Sequence, residues 1–132
     1  MYLEIKFESK AILSKELLPY QAKFIADPFI RNIESQLYVF AEVLVKTGDK
    51  RIVLFEYDNG WKYKKDLLHG ENASFPYVSL IDGQWYLIPE ISDKEQLNYY
   101  IFDPTTQSLS FSHSVHLGFL TKDKIMIENP SK

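Results

Sequence analysis

Asp27, Glu42 and Glu90 are the residues of this 132-residue chain whose types and spacing could do chemistry. The first two lie in "KFIADPFIRNIESQLYVFAEV", residues 23 to 43, which reads as a hairpin turning at Glu34-Ser35. Counting outward from that two-residue turn places Asp27 directly across from Glu42. Facing Cβ atoms in an antiparallel pair are about 4.5–5.5 Å apart. Two carboxylates at that separation push one pKa upward, which is how acid/base sites are often built. The same counting about Asp82-Gly83 in "SFPYVSLIDGQWYLIPEI", residues 74 to 91, sets Glu90 across from Phe75. Asp27, Glu42 and Glu90 then share one rim, with Phe75 and Tyr77 beside them. Carboxylates accept bonds from sugar hydroxyls and aromatic rings cover a sugar's apolar face, so the set suits carbohydrate recognition. Two alternatives stand beside it: Asp27 caps its strand through local backbone bonds, or a one-residue slip of register separates the pair.

Other chemistry-bearing residues are sparser. Arg31 lies on the face expected for Asp27 in the same strand, as a donor to hydroxyls or anions or as a neutralising charge. His69, in a loop near the proposed rim, is a further ligand contact or a plain surface histidine. His113 and His116 are three apart, which in a strand puts them on opposite faces and argues against a shared metal. The chain has no Gly-rich phosphate loop, nucleophile elbow or zinc spacing, and no cysteine. No metal or cofactor is expected.

The elements that must position these residues are strands. Residues 2–7 alternate and read as one; residues 10–18 are a short helix or a strand, ended by Pro19. Residues 28–33 and 36–43 form the first hairpin, followed by strands at 50–57 and from Trp61, the latter entered through Asp58-Asn59-Gly60. Residues 76–81 and 84–88 form the second hairpin across Asp82-Gly83, a strong two-residue turn signal. "QLNYYIFD" and "LSFSHSV" follow, and "FLTKDKIMIEN" holds one more candidate strand. Pro28, Ile33, Gln36, Tyr38 and Glu42 recur in the same order and at the same spacing as Pro76, Ile81, Gln84, Tyr86 and Glu90. Four antiparallel strands per unit, repeated at a constant period, is the pattern of propeller blades. The expected architecture is all-β: a cap segment 1–20, blade-like repeats at 21–68 and 69–118, and a tail 119–132. Both faces of the second hairpin are apolar, with Tyr77, Tyr86 and Ile88 on one and Val78, Leu80, Trp85 and Leu87 on the other. That suits a blade held between two others. Two blades do not close a ring. Either further blades, other copies of the chain or its own terminal segments cover the open faces; the first two are the expectation.

Composition narrows the partners. Aromatic residues are 15% of the chain, which favours strands. A net charge of −3 with no basic stripe argues against nucleic acid. The densest basic cluster, Lys62 to Lys65, is followed at once by Asp66 and reads as a solvated outer strand. The longest apolar run, Tyr38 to Val45, is interrupted by Glu42 and is too short to span a bilayer. The N-terminus lacks the order of a signal peptide, and a cytoplasmic location is the expectation.

Four motifs carry a family resemblance: "FIADPFI" at 24–30, "LYVFAEV" at 37–43, "FPYVSLIDGQWYLIPE" at 75–90, and the "LNYYIFD" strand. Together they resemble the five-bladed propellers of the glycoside hydrolase family 43 type over residues 20–118. The likeness extends to the propeller domain at the N-terminus of glucosamine inositolphosphorylceramide transferase and beside bacterial formyltransferase modules. The resemblance implies a general-base role for Asp27, the Asp of the first blade's Asp-Pro motif. It also implies that the remaining catalytic carboxylates, a pKa-modulating Asp and a general-acid Glu, belong to later blades that this sequence does not contain. Glycoside hydrolysis needs two carboxylates flanking the bond. The expected function is therefore a carbohydrate-binding or substrate-positioning module. The alternatives are part of a glycosidase completed by other blades, or an oligomeric interaction protein. The expected partners are a glycan or sugar-containing molecule and further copies, blades or a transferase module.

Overall fold

The computed structural model describes residues 13–70, 73–90 and 96–116. They form two four-stranded antiparallel sheets, each a simple meander. Sheet one runs β1 (Ala22–Ile33), β2 (Gln36–Val45), β3 (Lys50–Tyr57) and β4 (Trp61–His69). Sheet two runs β5 (Tyr77–Ile81), β6 (Gln84–Ile88), β7 (Gln96–Asp103) and β8 (Ser108–His116). The all-β, two-sheet architecture with the strand order of propeller blades is therefore as expected, and among the described residues the two sheets do not close a ring. The expected strands at 2–7 and in 119–132 lie outside the described residues.

The repeat is written into the backbone as well as the side chains. Glu34 and Ser35 both have positive φ (53° and 69°), and so do Asp82 and Gly83 (50° and 78°). Both turns carry the left-handed pair that matches the twist of hairpin strands. Asp27 and Phe75, at φ 50° and 44°, are also left-handed, and each precedes a proline.

The core lies in two layers. Between the sheets, Ile33, Tyr38, Phe40, Ile52 and Leu54 meet Val78, Leu87 and Phe102, all buried. Phe40 and Phe102 cross edge-on at 5.2 Å. Burying side chains of this size contributes roughly 1.5–3 kcal/mol each, and this layer holds the sheets together.

The second layer covers the outer face of sheet one. Val39, Ala41, Val53, Phe55 and Trp61 are sealed by Leu13, Leu17, Leu18 and Tyr20. In the segment 10–18, where the sequence allows helix or strand, the described residues from Leu13 onward hold a single 3₁₀ turn at Lys15–Leu17. The Ser14 hydroxyl caps it by accepting the Glu16 N–H at 3.3 Å. Of the three ways of covering an open blade face, the third, a terminal segment, is the one used on sheet one. This corrects the expectation that further blades or copies would cover it. The apolar side chains before Pro19 reach that face without a second chain.

Among the described residues, no helix is long and apolar enough to cross a membrane.

Candidate functional site

The rim is built where β1 meets β5. Phe29, on the face of sheet one that packs against sheet two, meets Phe75 and Tyr77 edge-on, with ring centroids 5.4 and 5.9 Å apart. Phe75 and Tyr77 are 45% and 46% exposed. Such edge-to-face packing suits the ring quadrupole and holds the rings in fixed orientations. Arg31 lies beside them, its guanidinium carbon 5.3 Å from the Phe29 centroid. Its Nε donates to the Val78 carbonyl and its Nη1 to the Ile30 carbonyl, both at 2.9 Å. Arg31 therefore ties the inner strands of the two sheets together and presents positive charge at the aromatic cluster.

The carboxylates are placed differently from the hairpin count. Glu42 pairs with Ala26, not Asp27, because β1 carries a bulge between Ala26 and Phe29. A bulge sets two residues of one strand against one of the other, so counting from the turn fails beyond it. Asp27 occupies the bulge itself, exposed and left-handed, and does not share a regular face with Arg31. The second hairpin repeats the departure: the Glu90 N–H donates to the Ser74 carbonyl at 3.0 Å, so Glu90 is bonded to Ser74 and not set against Phe75. The facing pairs Asp27–Glu42 and Phe75–Glu90 are both corrected, and at both places the residue before the proline is left-handed.

The bulge gives Glu42 another partner. Its Oε1 accepts the Phe75 backbone N–H at 3.2 Å. A carboxylate of sheet one thus satisfies a backbone donor of sheet two, freed by the left-handed turn at Phe75. Glu42 works here as a clip that fixes Phe75 and, through it, the ring cluster. The site keeps Asp27, Glu42, Arg31, Phe75 and Tyr77 in one neighbourhood. It adds Phe29, which holds in the first repeat the position that Tyr77 holds in the second. Glu90 is exposed at the corresponding end of sheet two.

His69 is elsewhere. It ends β4 opposite Arg51, on the face of sheet one turned away from sheet two. There Asp66 accepts from Tyr20 Oη at 2.6 Å, Tyr63 Oη at 3.1 Å and Arg51 Nη1 at 2.7 Å, while Arg51 Nε also donates to Asp49 at 2.9 Å. His69 stands 3.8 Å from both Asp49 and Asp66. Burial, followed by the bond to Asp66, raises the Tyr20 phenol pKa far above its ordinary value. Burial and the Asp66 charge raise Tyr63 as well. The bond to Asp49 leads in raising Arg51. The network thus keeps neutral phenols and a charged guanidinium, the states of a structural clamp. Arg51, its guanidinium carbon 4.6 Å from the Tyr20 centroid, also packs on the cap. A groove of about 440 Å³ beside the cap is lined by Lys15, Tyr20, Gln21 and Lys46, and does not include the rim residues. His113 and His116 do fall on opposite faces of β8.

Chemically the rim offers two half-exposed rings, a carboxylate on a left-handed backbone position and a fixed guanidinium on an open surface. Comparison of the chain with family models, characterised proteins and solved structures finds no match.

Proposed function

We propose that this chain is a carbohydrate-binding or substrate-positioning module, related to the propellers of the glycoside hydrolase family 43 type, with its sugar site on the rim between β1 and β5. The observation that carries the proposal is the Phe29–Phe75–Tyr77 cluster, two of whose rings are about half exposed, held beside Glu42 and Arg31. Fixed rings at an open edge provide a stacking surface, and Asp27 and Arg31 supply an acceptor and a donor for hydroxyls. Asp27 has no carboxylate across the strand, which favours binding over hydrolysis, since hydrolysis needs two flanking carboxyl groups. A second reading makes Asp27 the general base of a glycosidase completed by other blades. Its left-handed, solvent-facing backbone position favours that reading, because such strain gathers at functional sites.

The test is a titration of the chain with a panel of monosaccharides and short glycans, followed by amide chemical shifts. Binding is expected to move β1 and β5 signals and to be lost in Asp27→Ala and Phe75→Ala but kept in Lys62→Glu. Equal affinity in the wild type and both rim variants rejects the site.

A further inference from the structure

Both sheets carry the same two faces in the same order. In sheet one, Phe29, Arg31, Ile33, Tyr38 and Phe40 point towards sheet two. At the corresponding positions of the second repeat, Ser79, Ile81, Tyr86 and Ile88 point away from sheet one, since their neighbours Val78 and Leu87 fill the shared core, while Tyr77, at the rim end of the same face, reaches back to Phe29. The outward face continues across β7 and β8 through Ile101, Tyr99, His113 and Val115. Tyr99 and His113 stack at 4.5 Å with planes 11° apart, and Tyr86 stands edge-on to both. This face thus has the make-up of a core layer, yet none of its residues is buried, whereas Ile33, Tyr38 and Phe40 on the equivalent face are.

What can cover it follows from the other end of the molecule. In a head-to-tail arrangement, sheet two of one copy would continue the internal interface onto the outer face of sheet one in the next. That seat is filled by Leu17, Leu18 and Tyr20, and the Tyr20–Asp66 bond locks them in place. Head-to-tail stacking of copies in this conformation is therefore blocked, and the outward face of sheet two, apolar and open, has its own counterpart in a second copy as the matching surface. We propose that this face is a self-complementary interface through which two copies of the chain associate about a two-fold axis.

The size of the face sets the strength. The strands hold five to nine residues each. At about 4.8 Å between strands and a rise of about 3.3 Å per residue, they give a footprint of a few hundred Å². Stable interfaces cover about 800 Å² per partner, so the dimer is weak and depends on concentration. Tyr and other aromatic side chains suit such an interface, being large and stiff.

Sedimentation equilibrium between about 10 and about 500 μM tests it, a range that brackets weak association. The mass is expected to rise from 15.5 kDa towards twice that value. Tyr99→Lys and Val115→Lys should each hold it at the monomer, and Lys62→Glu on β4 should not. Amide shifts of the unmodified chain guard against a misfolded variant: those of outward residues on β6–β8 should move with concentration. A mass fixed at 15.5 kDa with unmoved shifts overturns the proposal and assigns cover of the face to the chain itself. Species growing past the dimer, or association that persists in both lysine variants, also overturn it, the former in favour of head-to-tail stacking.

Discussion

Replacing Asp66 by Asn should loosen the cap from sheet one. The carboxylate accepts from two phenols on Oδ1 and from Arg51 on Oδ2, and its side chain is 15% exposed. An amide can keep the phenol bonds through its carbonyl, but its NH₂ then faces a guanidinium, donor against donor. The Arg51 bond is lost and the phenol bonds become neutral ones. A bond to a charged group contributes about 1.5–3 kcal/mol and a neutral one about 1 kcal/mol. Arg51 keeps Asp49 and retains some access to solvent, which reduces the loss. A net cost of about 2–3 kcal/mol follows, or a fall in Tm of about 8 °C for a domain of this size. Urea unfolding should show a lower midpoint with an unchanged slope. Tyr20→Phe should cost about 1.5–3 kcal/mol alone and about 1 kcal/mol in the Asp66→Asn background, because the two changes share one bond. A loss below about 0.5 kcal/mol, within the range of ordinary surface changes, or strict additivity of the pair, refutes the view that this network fastens the cap.

Two further predictions follow from the same geometry. The Tyr20 and Tyr63 phenols have folded pKa values raised above the ordinary 10.0. Their contribution to stability is therefore whole below pH 10.0 and is lost as pH rises towards the raised values. The stability gap between wild type and Tyr20→Phe should narrow above that pH, and phenolate absorbance should show these two tyrosines ionising last; a gap constant with pH contradicts the shift. At the first turn, Glu34 and Ser35 hold positive φ without the residues that favour it. Glu34→Asn combined with Ser35→Gly should raise stability by about 1 kcal/mol in urea, and a loss would mean that the turn side chains make contacts of their own.

The strands, their order along the chain and the repeat were all legible in the sequence. Apolar alternation, the Asp82-Gly83 turn and the recurrence of Pro28, Gln36 and Glu42 at 76, 84 and 90 are local signals, and local signals determine element type and spacing. The faces of β5 and β6 were equally readable, since register counted from a tight turn holds until something interrupts it. What interrupted it was a left-handed residue before a proline, Asp27 inside a bulge of β1 and Phe75 just ahead of β5. The Pro that follows each is visible in the sequence, but the extra residue is a property of pairing between strands, so only the folded sheet revealed that Ala26 stands across from Glu42. Tertiary packing alone also gave Glu42 its role as a clip on Phe75, because the partner lies in the other sheet. It moved His69 to the far face, and it brought Tyr20 onto Asp66, 46 residues distant, to seal a face that the strand pattern left open. Chain-local chemistry chose the strands. Contacts between residues far apart in sequence decided which of their faces meet, and so which side chains form a site.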